Sequence, residues 1–225
     1  MKQAVVISAL MLAAAQAWSQ APAPQGEIKG QALEHTAESA RAVVAGGALV
    51  LPSAATGGAV FAGAFKDAPQ TRARVPVVLF LHGSSGLGLK AIGEWQHWLA
   101  TLGVASFAPD SFGLAGRATY TSPVGKDFYE KIHALRASEI TLALQALKEA
   151  PWADTRRIVL AGSSEGAVAV ARYGGDGLAG RMIFSWSCED NYFVTAHQTA
   201  VVRDQPVLNV ISVTDPFFSR SNAWL

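Results

Sequence analysis

Cysteine is almost absent: Cys188 is the only one in 225 residues, so no intrachain disulfide can form within this sequence. Metal-ligand spacing is missing as well. There is no H-E-x-x-H and no C-x-x-C, which removes the usual signatures of a zinc hydrolase or a structural metal site, and no metal is expected. Lysine and arginine never gather into runs, the formal net charge is +1, and the aromatics do not interleave with basic residues, so no nucleic-acid partner is indicated. No apolar run reaches the roughly 20 residues that a membrane-spanning helix needs. Histidine is scarce: there are five, and none follows His197.

What is present is enough hydrophobic sequence, half of the chain, for one α/β domain with a sizeable core. The opening MKQAVVISALMLAAAQAWSQ places Lys2 before an apolar run and small residues at Ala15-Gln16-Ala17. This reads as a signal peptide over 1–20, cut after Ala17 or a residue or two later, and implies export to a periplasm or the medium. Residues 21–46 are expected to be a mobile N-terminal segment, and 47–225 the folded domain. In an oxidising compartment the lone Cys188 is either buried and inert or has its partner in sequence absent here.

From Gly47 the pattern alternates. GALVLPS and GAVFAGAF flank Ala54-Ala55-Thr56-Gly57 and predict a hairpin that opens the sheet. Val75 to Leu81, VPVVLFL, is a continuous apolar run suited to a strand covered on both faces. A helix from about Ile92 to Leu102 carries Trp95, Trp98, Leu99 and Leu102 at core spacing, and Gly103 stops it. Strands are predicted at 104–108, 181–186 and 207–212, and a long amphipathic helix with Phe128, Ile132, Leu135, Ile140, Leu144 and Leu147 on one face ends at Pro151. The class is a mainly parallel, doubly wound α/β sheet.

The chain is organised around Arg157 to Ala171, RIVLAGSSEGAVAVA, in which an apolar strand enters a small-residue turn and leaves it as a helix. Only Ser164 has glycine at both minus two and plus two, the G-x-S-x-G spacing of a nucleophile elbow. The spacing matters because the serine backbone is strained there and a side chain at either flank would strike its neighbours. An acyl-transfer serine also needs oxyanion donors, a base and an orienting acid. The amide of Glu165 supplies one donor, and the loop His82-Gly83-Ser84 supplies the other, from Ser84 or its neighbour. Asp215, at the end of the last strand, stands where the acid belongs; its competing role is a turn residue before Pro216. Glu165, if buried, needs a cation, for which Arg117 and Arg172 are both candidates. The segment SWSCEDNYF, Ser185 to Phe193, either lines a pocket or fills the core.

HGSSGLG after a buried strand, FAPDSFG after the next, GSSEG at the elbow and VISVTD later resemble the dienelactone hydrolase family of α/β-hydrolases, over the stretch from Gly47 onward. That resemblance implies the α/β-hydrolase fold and hydrolysis of a carboxylic ester or lactone, without cofactor, through nucleophile, acid and histidine in that order. Ser164 falls on the nucleophile position, where dienelactone hydrolase itself has cysteine, and Asp215 falls on the acid position. No histidine follows Asp215. His82 belongs to the oxyanion loop and braces it, while His197 lies between nucleophile and acid. The sequence therefore reads as a chain lacking its last strand and helix, and Val207 to Ser212 as an apolar sheet edge open to self-association. A G-x-G-x-x-A match at Gly86 to Ala91, with Asp110 about 20 residues on, is set too far from its strand for a dinucleotide turn. The alternative function is a non-catalytic binding protein on the same scaffold.

Overall fold

A computed structural model of the protein describes residues 26–218; the expected signal peptide, 1–20, lies outside the described residues. The elements are strand β1 (Ile28–Lys29), helix α1 (Ala37–Ala45), β2 (Ala48–Leu51), the single-turn helix α2 (Ser53–Thr56), β3 (Phe61–Ala64), β4 (Val75–Leu81) and α3 (Lys90–Thr101). They continue with β5 (Ala105–Ala108), β6 (Thr119–Tyr120), α4 (Lys126–Glu149), β7 (Ala153–Ser163), α5 (Glu165–Arg172), β8 (Leu178–Phe184) and β9 (Val207–Val210).

Seven strands form one sheet in the order β3-β2-β5-β4-β7-β8-β9. From β5 to β9 in that order the pairing is parallel, and β2 is antiparallel to both of its neighbours. The buried run of β4 shows how the layers arise. Successive side chains of a strand point to opposite faces, so Val77, Leu79 and Leu81 enter the core shared with α4 and α5 while Val78 and Phe80 face α3. Pro76 has no amide hydrogen to give a ladder, and the β4–β7 register slips between Val75 and Val77. Helices thus cover both faces, the doubly wound α/β arrangement that the alternation predicts.

The structure departs from the sequence reading in three places. Of the stretch expected to be mobile, residues 26–46 are built into the fold: Ile28–Lys29 pairs antiparallel with Thr119–Tyr120, and α1 buries Val43 completely. The helix starts at a capping box in which the Thr36 hydroxyl accepts from the Ser39 amide and the Ser39 hydroxyl accepts from the Thr36 amide. The expected hairpin pairs as predicted but turns through α2, closed by Gly57 at φ 73°. On α3 only part of the apolar stripe is core: Leu99 is buried, whereas Trp98 is 53% and Leu102 58% exposed. Among the described residues β3 and β9 are the two edge strands, and no helix is long and apolar enough to cross a membrane.

Candidate active site

β7 delivers Ser163 and Ser164 to the carboxyl edge of the sheet, and α5 begins at the next residue. Ser164 has φ 54° and ψ −119°, a conformation that a side chain adopts only when its surroundings impose it. They do. A Cβ on Gly162 would lie 2.6 Å from the Gly166 carbonyl oxygen, and one on Gly166 would lie 2.4 Å from the Leu81 and 2.8 Å from the His82 carbonyl oxygens. The Ser164 amide donates to Phe184 O at 3.0 Å, tying the turn to β8. Gly166→Ala is therefore expected to destabilise the fold by about 2 kcal/mol or more, because backbone must move to admit the methyl group. Urea unfolding reads this, and a loss below about 0.5 kcal/mol would show that the elbow is loose.

The loop after β4 comes against this turn. A Cβ on Gly83 would sit 3.2 Å from Ser164 Cβ and from Ser163 O, so glycine lets the loop approach, and the exposed Ser84 shares a cavity with Ser164. As the first residue of α5, Glu165 has an amide outside the intrahelical ladder, at the end of the helix that favours negative charge. The two expected donor segments are thus brought together.

Beneath the elbow lies a buried charge network. Glu165 is fully buried; its Oε1 accepts from Arg117 Nη2 at 2.5 Å, its Oε2 accepts from the Tyr120 hydroxyl at 2.9 Å, and Arg136 Nε lies 3.7 Å away. Arg117 is the cation that the sequence required, while Arg172 pairs with Glu130. Arg136 Nη1 meets Glu139 Oε2 at 2.5 Å, and Glu139 Oε1 accepts from Ser111 Oγ at 2.6 Å. Burial alone would raise the Glu139 carboxyl, but Arg136, His35, Ser111 and Arg117 together hold it below its usual range. Burial first, and then the Glu165 carboxylate, push the Tyr120 phenol well up. Sequence reasoning missed Tyr120, Arg136 and Glu139; the readable signal was an Arg and a Glu on the α4 face that also carries Ile132 and Ile140.

The five histidines are placed elsewhere. The Ser111 amide donates to His82 Nε2 at 3.1 Å, which puts the proton on Nδ1, where it donates to Gly83 O at 2.7 Å. Burial, then Arg136, lower the His82 pKa to about 3. It ties the loop that carries Gly83 to Ser111, with no nitrogen left for Ser164. His133 is buried on α4 with neither ring nitrogen hydrogen-bonded, and burial lowers its pKa to about 4. His35 contacts Ser39 and Glu139, His197 contacts Asp190 at 2.7 Å, and His97 is exposed on α3. Asp215 is buried, but its Oδ1 accepts from the Phe217 and Phe218 amides at 2.8 and 2.9 Å, so that oxygen shapes a turn. Burial, then Tyr129, push the Tyr192 phenol up, and the Asp215 carboxylate adds a smaller push in the same direction.

The SWSCEDNYF segment divides between both readings. Trp186 is fully buried in the core, whereas Tyr192 and Phe193 line the cavity with Ser164. Cys188 is half-buried, its Sγ accepts from Asn209 Nδ2 at 3.1 Å, and burial raises its thiol pKa, the inert alternative. Among the described residues no cluster of three or more His, Cys, Asp or Glu is arranged to hold a metal ion.

A strained serine between strand and helix, on a mostly parallel sheet covered on both faces, is the arrangement of the α/β-hydrolase fold. No family model matches the chain, and no curated protein does. Among solved structures the chain is similar to a protein assigned as a dienelactone hydrolase from Klebsiella pneumoniae, with 12% identity over 88% of this chain and 77% of that one and a TM-score of 0.49. It is also similar to a ferulic acid esterase from Streptomyces cinnamoneus, with 20% identity, 64% and 44% coverage and a TM-score of 0.44. A third is Est1E from Butyrivibrio proteoclasticus, with 18% identity, 60% and 44% coverage and a TM-score of 0.40. The chain spans under half the length of the last two.

Proposed function

We propose that the chain is a hydrolase of carboxylic esters or lactones in which Ser164 is the nucleophile. One observation carries this reading: the backbone of Ser164, at φ 54° and wedged by Gly162 and Gly166, stands beside two segments whose amides suit an oxyanion. The Ser164 oxygen attacks the ester carbonyl, and the developing oxyanion accepts from the Glu165 amide and from the Ser84 loop. Each such donor is typically worth roughly 3 kcal/mol of barrier. The tetrahedral species expels the alcohol, and water then cleaves the acyl-enzyme and restores the serine. Asp215 would orient a histidine that removes the serine proton, and no histidine in this chain bonds to either residue. That observation favours the second reading, a non-catalytic binding protein on the same scaffold.

Added imidazole separates the two. Members of a catalytic triad act as a unit, so with the base missing Ser164→Ala costs little by itself. With imidazole supplied, the parent is expected to hydrolyse p-nitrophenyl acetate at least about tenfold faster than Ser164→Ala, after subtraction of the reaction in buffer. Parent and variant responding equally at every imidazole concentration would overturn the serine mechanism and leave the binding scaffold.

The signal-peptide pattern of residues 1–20 supports export to a periplasm or the medium. Self-association through β9 belongs to the same proposal, since Val207, Leu208 and Val210 are each nearly half exposed on an outermost strand. Sedimentation should show dimers or larger species that Val210→Lys reduces; a parent that remains monomeric at high concentration would refute this.

A further inference from the structure

The cavity beside Ser164 is walled by rings. Tyr120, Tyr192, Phe193, Phe217 and Phe218 line it together with Ser84 and Ser164, and its volume is about 230 Å³. Three different segments bring these rings together: β6 carries Tyr120, the loop after β8 carries Tyr192 and Phe193, and the turn shaped by Asp215 carries Phe217 and Phe218. The turn is where Asp215 does structural work, because its carboxylate sets the two phenylalanine amides and hence the two rings. Tyr192 and Phe218 lie nearly parallel, 14° apart at 6.0 Å, and Phe193 meets Phe218 edge-on at 5.3 Å.

Among the described residues no charged side chain lines this cavity. Arg117, under the elbow, is committed to Glu165 and to Ser111, and its guanidinium stacks over Phe112, 4.8 Å from the ring centre. A carboxylate entering the cavity would lose water and meet no counter-charge. The size is below the roughly 300 Å³ at which pockets begin to take drug-sized ligands, so a single ring fits and a long acyl chain does not. Ring walls favour a ring over an alkyl group of equal area, because edge-to-face and offset-stacked contacts add to burial.

We infer that this site selects esters in which the group beside the carbonyl, on the acyl or the alcohol side, is one neutral aromatic ring, and that it discriminates against substrates bearing a carboxylate. The statement about catalysis rests on the ester-hydrolase reading; the statement about ring selection does not. Two aromatic contacts correspond to about tenfold or more in affinity.

The test uses the full chain and begins with binding, which needs no turnover. Phenylacetamide, hexanamide and phenylacetate are titrated by calorimetry. Phenylacetamide is expected to bind about tenfold more tightly than hexanamide and more tightly than phenylacetate. Phe217, at the rim and 44% exposed, tolerates substitution without a buried void: Phe217→Ala should cut the ring preference by severalfold and Phe217→Tyr restore it. Equal affinity for phenylacetamide and hexanamide, tighter binding of phenylacetate, or no binding of any of them overturns ring selection. Hydrolysis of vinyl phenylacetate against vinyl hexanoate, and of benzyl acetate against hexyl acetate, is then followed with imidazole in parent and Ser164→Ala. Ring-selective binding with no Ser164-dependent turnover would sink the hydrolase reading alone. Ser164-dependent turnover with no ring preference in either pair would sink the selectivity alone.

Discussion

Lowering the pH from 6.5 to 4 is expected to remove about 6 kcal/mol of folding stability, from two histidines that are buried without charge. His82 and His133 titrate near 3 and near 4 in the folded protein, against 6.5 in an unfolded chain. Both folded values are lowered, so below pH 6.5 the unfolded chain takes up protons that the folded one refuses. Their contribution is complete above pH 6.5 and is lost as pH falls toward 4 and 3, at roughly 3 kcal/mol each by pH 4. Burial is the main cause for both, and Arg136 adds to it at His82. Since whole domains have only about 5–15 kcal/mol to lose, acid unfolding should begin above the range in which carboxylates protonate. Denaturant titrations from pH 7 to 4 measure the slope directly. His133→Phe offers an internal check, because that ring lies 4.8 Å from Phe193 and neither of its nitrogens is hydrogen-bonded. The variant should be as stable as the parent at pH 7 and show about half the acid loss. A flat profile between pH 6.5 and 5 would show that both imidazoles reach water.

The second large effect lies beneath Ser164. Arg117→Met is expected to cost about 3–5 kcal/mol, because it leaves the Glu165 carboxylate buried with only the Tyr120 hydroxyl and Arg136 at 3.7 Å. Removing both charges together is different in kind. Arg117→Met with Glu165→Gln should recover much of the loss, since a neutral amide still accepts from Tyr120 and no stranded charge remains. Chemical denaturation of the two singles and the double closes the cycle. A single-variant cost below about 1 kcal/mol, or a double variant no better than Arg117→Met, would show that water compensates Glu165. The same carboxylate anchors the residue whose amide is the proposed oxyanion donor, so imidazole-dependent turnover should fall in Arg117→Met even in the fraction that remains folded.

Much of this architecture is legible because it follows from local rules. VPVVLFL reads as a doubly covered strand, Gly103 at φ 76° ends α3, and Pro151 follows the end of α4. The elbow is legible for the same reason: two glycines flanking a serine are a backbone requirement expressed in side chains. What was not legible is set by long-range contacts. Nothing local distinguishes Ile28 and Lys29 from loop, because their strand pairing is with residues some ninety positions away. Arg117 and Arg172 were equal candidates for Glu165 because choosing between them requires knowing that β6 passes over the elbow while Arg172 turns toward Glu130 and the Ala196 carbonyl. Asp215 was expected at a strand end, but β9 stops at Val210 and Asp215 lies in the turn beyond it, where its hydrogen bonds depend on the chain direction after Pro216.

Ile28 and Lys29 hold Thr119 and Tyr120 by a two-residue ladder, and the Tyr120 hydroxyl in turn holds Glu165. Closing a loop of that length costs roughly 4 kcal/mol of chain entropy, offset by the ladder, by further backbone hydrogen bonds at Gly26, Glu27, Gln31 and Ala32, and by the packing of Tyr120 on Phe128, Tyr129 and Phe193. One wall of the ring-lined cavity thus depends on a segment far upstream of the serine, joined to it through main-chain pairing and not through the core.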